Sequence, residues 1–191
     1  MADRAAVAAS ALCELRLSLG EQLGLRKEGA WSFLWVVRFP LVEYDPAEKR
    51  YAAMHHPFTS PVEEDLEKME TDPASVRARA YDLVLNGNEI AGGSIRISRR
   101  DVQDRMFRLL GISAEDAERK FGFLLEAFEF GAPPHGGIAF GFDRLVALLA
   151  GERSIRDVIA FPKTNTAVSL MDDAPSEVDP AQLRELGIRV I

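Results

Sequence analysis

Apolar positions near the start of the chain recur at steps of three and four. Val7, Ala8, Ala11, Leu12 and Leu15 share one side of a helix predicted over roughly Ala5–Leu25, ending near Gly20 or Gly24. A short link over Arg26–Ala30 leads into SFLWVVRFPLVEY, a compact run rich in Val, Phe and Trp that predicts a buried strand stopped by Pro40. The next stretch, TSPVEEDLEKMETDPASVRA, is acidic and carries two prolines, which predicts a solvated surface loop with short helical turns.

Two strand-like runs then flank Asn86-Gly87 in ARAYDLVLNGNEIAGGSIRIS, a strong short-range hairpin signal. A two-residue turn sets Leu85 against Asn88, Val84 against Glu89, Leu83 against Ile90 and Asp82 against Ala91. Asp82 and Glu89 then share a face as diagonal neighbours, roughly 7–8 Å apart. Leu83, Leu85 and Ile90 take the other, buried face. Along the second strand the step from Ile90 to Ile95 is odd, so strict alternation turns Ile95 and Ile97 out of the core. One inserted residue repairs the phase, and Gly92-Gly93 is where a bulge is expected. Arg96 then joins Asp82 and Glu89. Two acids and a guanidinium on one sheet surface can hold a divalent cation on oxygen ligands and an anion in a bidentate grip. The plainer alternative is a solvated polar face with an Arg–acid salt bridge.

Further on, a helix from about Asp101 to Leu110 stops at Gly111. Ser113, with Glu115 and Asp116 behind it, caps another, whose stripe is Ala117, Phe121, Leu124, Leu125 and Phe128, ending before Gly131. In GGIAFGFDRLVALLAG, Ile138, Phe140 and Phe142 alternate with Ala139 and Gly141, leaving one side of an edge strand nearly bare for a flat ligand. Asp143 is positioned to cap the helix that follows, which puts Arg144 in its first turn. Charge and helix dipole there both attract phosphate, the alternative being a tight packing joint with Arg144 merely exposed. Neither a P-loop nor a GxGxxG fingerprint is present. A short tail helix is predicted near Gln182–Leu186. Strands in hairpins with helices between them make the fold α+β, with an antiparallel sheet.

Composition narrows the function. The 191 residues are 47% hydrophobic and 28% charged, as in a globular chain, and 23 basic against 30 acidic residues give a net charge of −7. That argues against a broad nucleic-acid-gripping face, though not against a small phosphate pocket. Cys13 is the single cysteine and reads as a small helix core residue, so no internal disulfide forms. The sequence has neither a signal-peptide core nor an apolar run of about 18 residues, and a reducing cytoplasmic compartment is the expectation. His55 and His56 are adjacent in YAAMHHPFTSP with no zinc-binding pattern around them. A loop histidine before Pro57 can hydrogen-bond a carboxylate or an amine, or the two can be a surface pair. His135 lies just before the glycine-rich strand, where its expected part is only to orient that turn.

AMHHPFTSP, AYDLVLNGNEIAGGSIRI, KFGFLLEAFEFGAPPHGGIAFGFDRLVALLAG and IRDVIAFPKT, in that order, resemble the C-terminal part of the bacterial aspartyl-tRNA synthetases. HGGIAFGFDRLVALL resembles motif 3 of the class II synthetases. The likeness runs from about Phe33 to the end. It implies that residues 1–29 are the end of the insertion domain of the bacterial enzymes, and that 30–191 are the C-terminal half of a class II catalytic domain, an antiparallel sheet flanked by helices. By the same resemblance, Glu89 contacts ATP and its Mg2+, and Asp82 is the second Mg2+ carboxylate. Arg96 clamps the side-chain carboxylate of L-aspartate, with His55 beside the amino acid. Gly141, Phe142, Asp143 and Arg144 line ATP, with Arg144 on the γ-phosphate. Arg96 and Arg144 are the implied catalytic residues.

The implied chemistry forms aspartyl-adenylate from ATP and aspartate and passes the aspartyl group to the acceptor end of tRNA, in a family of homodimers. The likeness does not extend to motif 1, motif 2 with its α-phosphate arginine, or the anticodon-binding barrel. The sequence also departs from the family pattern at Arg38 (usually an acid), Ala91 (a glycine) and Ser98-Arg99 (often His-Asp). The expectation is therefore a fragment, a split product or a degenerate copy of an aspartate–tRNA ligase. The alternative is a truncated non-catalytic paralogue that binds nucleotide or amino acid as a regulatory module.

Overall fold

In the computed structural model, which describes residues 3–25 and 29–189, Asn86 and Gly87 both take left-handed backbone angles, φ 50° and 85°. That pair makes a type I′ turn, whose twist matches the strands it joins. It links β4 (Ala80–Leu85) to β5 (Asn88–Ile95). Asn86 also fastens the chain ahead of the sheet, since its side chain accepts from Ser32 N–H at 2.8 Å and donates to the Ala30 carbonyl at 2.8 Å. Of the predicted link, Arg26, Lys27 and Glu28 lie outside the described residues.

Leu85 faces Asn88 and Val84 faces Glu89, as expected; then the register slips, so that Leu83 faces Ala91 and Asp82 faces Gly92. The inserted residue is Ile90, not Gly92-Gly93. Ile90 suits the unpaired position because its side chain is 3% exposed and its carbonyl accepts the Gly141 N–H at 2.9 Å. The glycines have another task. A Cβ on Gly93 would lie 1.9 Å from the Gly137 carbonyl oxygen, so β5 approaches its next neighbour too closely for any side chain.

That neighbour is β6 (Gly136–Phe140), and β1 (Phe33–Val37) pairs with the far side of β4. The antiparallel order is β1-β4-β5-β6. The expected buried strand SFLWVVRFPLVEY is in fact two strands. Arg38, at φ 59°, breaks it. β1 is an edge strand exposed along its whole length, and β2 (Val42–Asp45) turns away to pair with β3 (Arg50–Ala53). The β2–β3 turn is held by the Asp45 carboxylate, which accepts from Ala47 and Glu48 N–H.

The acidic stretch after β3 is more than a solvated loop. Its two 3-10 turns, Glu63–Lys68 and Pro73–Ser75, bury Met69 and Val76. Asp65 is buried with them, and its bonds from Arg77 at 2.6 Å and Lys68 at 2.8 Å hold its carboxyl far below the usual range. Met69 and Val76 join Leu41, Ala80, Ile97, Val102 and Met106 in one core. The helices α2 (Arg100–Leu109) and α3 (Ala114–Glu129) follow, and Ser113 caps α3 by accepting the Asp116 N–H at 3.1 Å. The α3 stripe packs with Phe107 of α2 in a second core of Phe107, Ala117, Leu125 and Phe128; Phe121 stacks on Phe107, and Phe58 meets both rings edge-on. Helix α4 (Phe142–Ala150) follows β6, and α5 (Pro180–Glu185) is capped by Asp179.

Helix α1 (Ala5–Gln22) forms as predicted, but Val7, Leu12 and Leu15 remain exposed among the described residues, and Cys13 is exposed rather than a core residue. The fold is α+β, an antiparallel sheet with flanking helices. No described helix is long and apolar enough to cross a membrane.

Candidate active site

Cross-strand pairing lines Val36, Asp82, Gly92 and Ala139 in one row across the sheet, with Ala80, Ser94 and Gly137 in the next row on the same face. Small residues leave that face low. A Cβ on Gly92 would sit 2.7 Å from Asp82 Oδ1 and 3.4 Å from Glu89 Oε1, so carboxylates from two strands converge over the glycine. Burial, and then the charge of Glu89, push the Asp82 carboxyl above its ordinary range, while His55 pulls it back. Uncompensated negative charge over a glycine floor suits a cation. No cluster of three or more ligating side chains exists among the described residues. Two carboxylates fit Mg2+ that takes its remaining ligands from phosphate and water.

Alternation along the strand carries Arg96 to the side of Gly92 and Ser94. Its N–H donates to the His135 carbonyl at 2.9 Å, and the His135 ring lies 2.8 Å from the Pro133 carbonyl. The histidine loop lies over this end of the face. Its Thr59 hydroxyl meets the Ser94 hydroxyl at 3.3 Å, and the Phe58 carbonyl accepts the Ile97 N–H at 2.9 Å. His55 packs edge-on against Phe39 and acts on Asp82.

His56, the histidine directly before Pro57, has a defined state. Its Nδ1 lies 3.1 Å from the Phe58 backbone N–H. A backbone N–H only donates, so Nδ1 carries the lone pair and the neutral ring holds its proton on Nε2. Partial burial, and then the Arg96 charge, lower its pKa.

At the other end, Gly141 N–H donates to the Ile90 carbonyl, and Arg144 Nη1 donates to the Glu89 carbonyl at 2.5 Å. Arg144 therefore stands beside the acid pair, in the first turn of α4, with guanidinium donors to spare. Asp143 does not cap this helix. Gly141 is the N-cap residue, and no side chain bonds there, because the start of α4 is fixed by the backbone bond to Ile90. Phe142 is 72% exposed. A concavity of about 590 Å3 lies elsewhere. It is lined by Val37, Tyr81 and Ile95 from the opposite sheet face and touches neither acid.

Residues 11–165 match the family model described as tRNA synthetases class II (D, K and N). The chain belongs to that family. Among curated relatives in the family, the chain is 62% identical to the aspartate–tRNA(Asp/Asn) ligase of Symbiobacterium thermophilum, over 99% of this chain and 33% of that protein. It is 60% identical to the aspartate–tRNA ligase of Bacillus licheniformis, over 100% of this chain and 32% of that one. The chain thus spans about a third of the length of these relatives. The fold agrees: the aspartyl-tRNA synthetase of Entamoeba histolytica superposes with a TM-score of 0.55 at 24% identity, covering 80% of this chain and 26% of that one.

Proposed function

We propose that this chain is the aspartate- and ATP-binding part of an aspartate–tRNA ligase, with residues 1–29 the end of an insertion domain and 30–191 the C-terminal half of the catalytic domain. The observation that carries the reading is the convergence of Asp82 and Glu89 over Gly92, with strand alternation turning Arg96 to the same side and His55 near enough to act on Asp82. Relatives named as aspartate–tRNA ligases, at about 60% identity over the whole chain, support it.

In this reading the α-carboxylate of L-aspartate attacks the α-phosphorus of ATP, giving aspartyl-adenylate and pyrophosphate; the terminal ribose of tRNA then takes the aspartyl group. Arg96 holds the substrate's side-chain carboxylate in a bidentate grip, and His55 flanks it. Arg144 offers its free donors to the γ-phosphate, and Gly141, Phe142 and Asp143 border the nucleotide. Asp82 and Glu89 would hold Mg2+, which when bound would neutralise charge on the pyrophosphate. The protein's contribution is placement and charge stabilisation. The working enzyme is a cytoplasmic homodimer.

The test is a chimera in which this chain replaces the matching third of the Symbiobacterium relative. Aspartate-dependent exchange of pyrophosphate into ATP is the expected result. A folded chimera without exchange overturns the reading.

A further inference from the structure

Gln103 sits in α2 with no exposed surface, and it is not in the acid–arginine group. Its Nε2 donates to the Pro57 carbonyl at 2.9 Å. That bond fixes the amide's orientation, because the flipped amide would set two oxygens against each other. The consequence is that Oε1 faces the interior without a hydrogen-bond partner, the one such atom among the described buried side chains. A buried acceptor without a donor is unfavourable, and a core position one residue from Val102 would take an apolar side chain. What the glutamine supplies is its grip on Pro57, the residue directly after His55-His56.

We propose that Gln103 is a positioning residue for the histidine loop: by holding the Pro57 carbonyl it sets the placement of His55 over the acid pair and keeps the His56 ring on the Phe58 N–H. The consequence for aspartate binding rests on the function proposed above; the loop geometry does not. The other fasteners of the loop lie on either side: Met54 N–H on the Leu41 carbonyl and His55 against Phe39 before it, and Phe58 and Thr59 beyond it. Gln103 is the side chain that reaches the Pro57 backbone from the helix layer. Replacing it with methionine exchanges one unpaired acceptor for another. Gln103 Oε1 disappears and the Pro57 carbonyl is released. Stability should therefore change little while the loop loses its register, a separation that a purely structural residue does not show.

The experiment has two arms. In the 191-residue chain, imidazole nitrogen shifts of His56 report the Nε2-protonated ring in the parent. In Gln103→Met they should move towards an average of the two tautomers. Val76→Ala, a deeper core change away from the loop, should leave them in place. In the chimera, Gln103→Met should raise the KM for aspartate roughly tenfold with kcat nearly unchanged, the pattern of lost ground-state binding. Unaltered His56 shifts in a folded Gln103→Met chain overturn the proposal, as does an unaltered KM. Should that variant not fold, the parent decides: a measurable coupling between Gln103 Nε2 and the Pro57 carbonyl carbon across the hydrogen bond supports it, and its absence overturns it. An unmodified chimera without aspartate-dependent exchange overturns the ligase reading alone, and the ring-nitrogen arm still decides the role of Gln103.

Discussion

At one end of the sheet the buried Ser94 meets the histidine loop, whose Thr59 and Phe58 are tied to β5 and the residues just after it, and whose Pro57 is tied to α2. At the other end, β1 and β6 are exposed along their lengths, and the α4 corner is held by two hydrogen bonds to the β5 backbone. The acids stand on the border. Asp82 is half-buried and feels both desolvation and the charge of Glu89, which is itself exposed. The covered end is held by tertiary contacts, with the Arg96 N–H on the His135 carbonyl and the His55 ring against Phe39. The open end fixes backbone, and leaves Arg144 and the glycine-floored face accessible to a ligand.

Arg96→Ala breaks the contrast most sharply. In the chimera it should lower aspartate-dependent exchange by a few hundredfold, about 3 kcal/mol, because a substrate carboxylate loses its partner in a covered place. Circular dichroism should stay unchanged. Next in size is the packing difference itself. Leu125→Ala, in the second core, should lower stability by about 3 kcal/mol in urea unfolding. On the same helix, Phe123→Ala, at 79% exposure, should stay within about 0.5 kcal/mol.

The β5–β6 seam comes third. Gly93→Ala pushes a methyl into the Gly137 carbonyl and should cost about 2 kcal/mol. Gly137→Ala meets nothing within 4 Å. It should leave the melting temperature unchanged yet raise the KM for ATP, since its methyl stands on the ligand's side of the sheet.

The smallest effect is electrostatic. Asp82 holds its proton more tightly folded than unfolded, so the stability this gives is present at low pH and is lost as pH climbs from the ordinary carboxylate pKa through the raised one. Asp82→Asn should therefore stabilise the chain at pH 7 by about 0.5 kcal/mol, the cost of like charges side by side on a sheet. The gain should fade towards pH 3, and Mg2+ should act in the same direction on the parent. Asp65 runs the opposite way. Its carboxyl is depressed, so its contribution is present above the ordinary carboxylate pKa and is lost as acid protonates it in the folded state.

Much of this was legible in the residues. Asn86-Gly87 dictated its turn because few residues tolerate two left-handed positions in succession. The odd step from Ile90 to Ile95 required an inserted residue and so put Asp82, Glu89 and Arg96 on one side. Ser113 and the α3 stripe marked their helix. The location of the bulge was not legible, because Ile90 was chosen by a burial site and by Gly141, 51 residues away in the chain. The break at Arg38 and the exposure of β1 were equally hidden, since an apolar run reads the same on an edge as in a centre. Gln103 carries no local signal at all; its meaning is a single bond to Pro57. Periodicity, turns and side could be read from residue order, since they depend on neighbours along the chain. Which groups are desolvated and which touch emerged on folding, because both depend on distances that chain order does not contain.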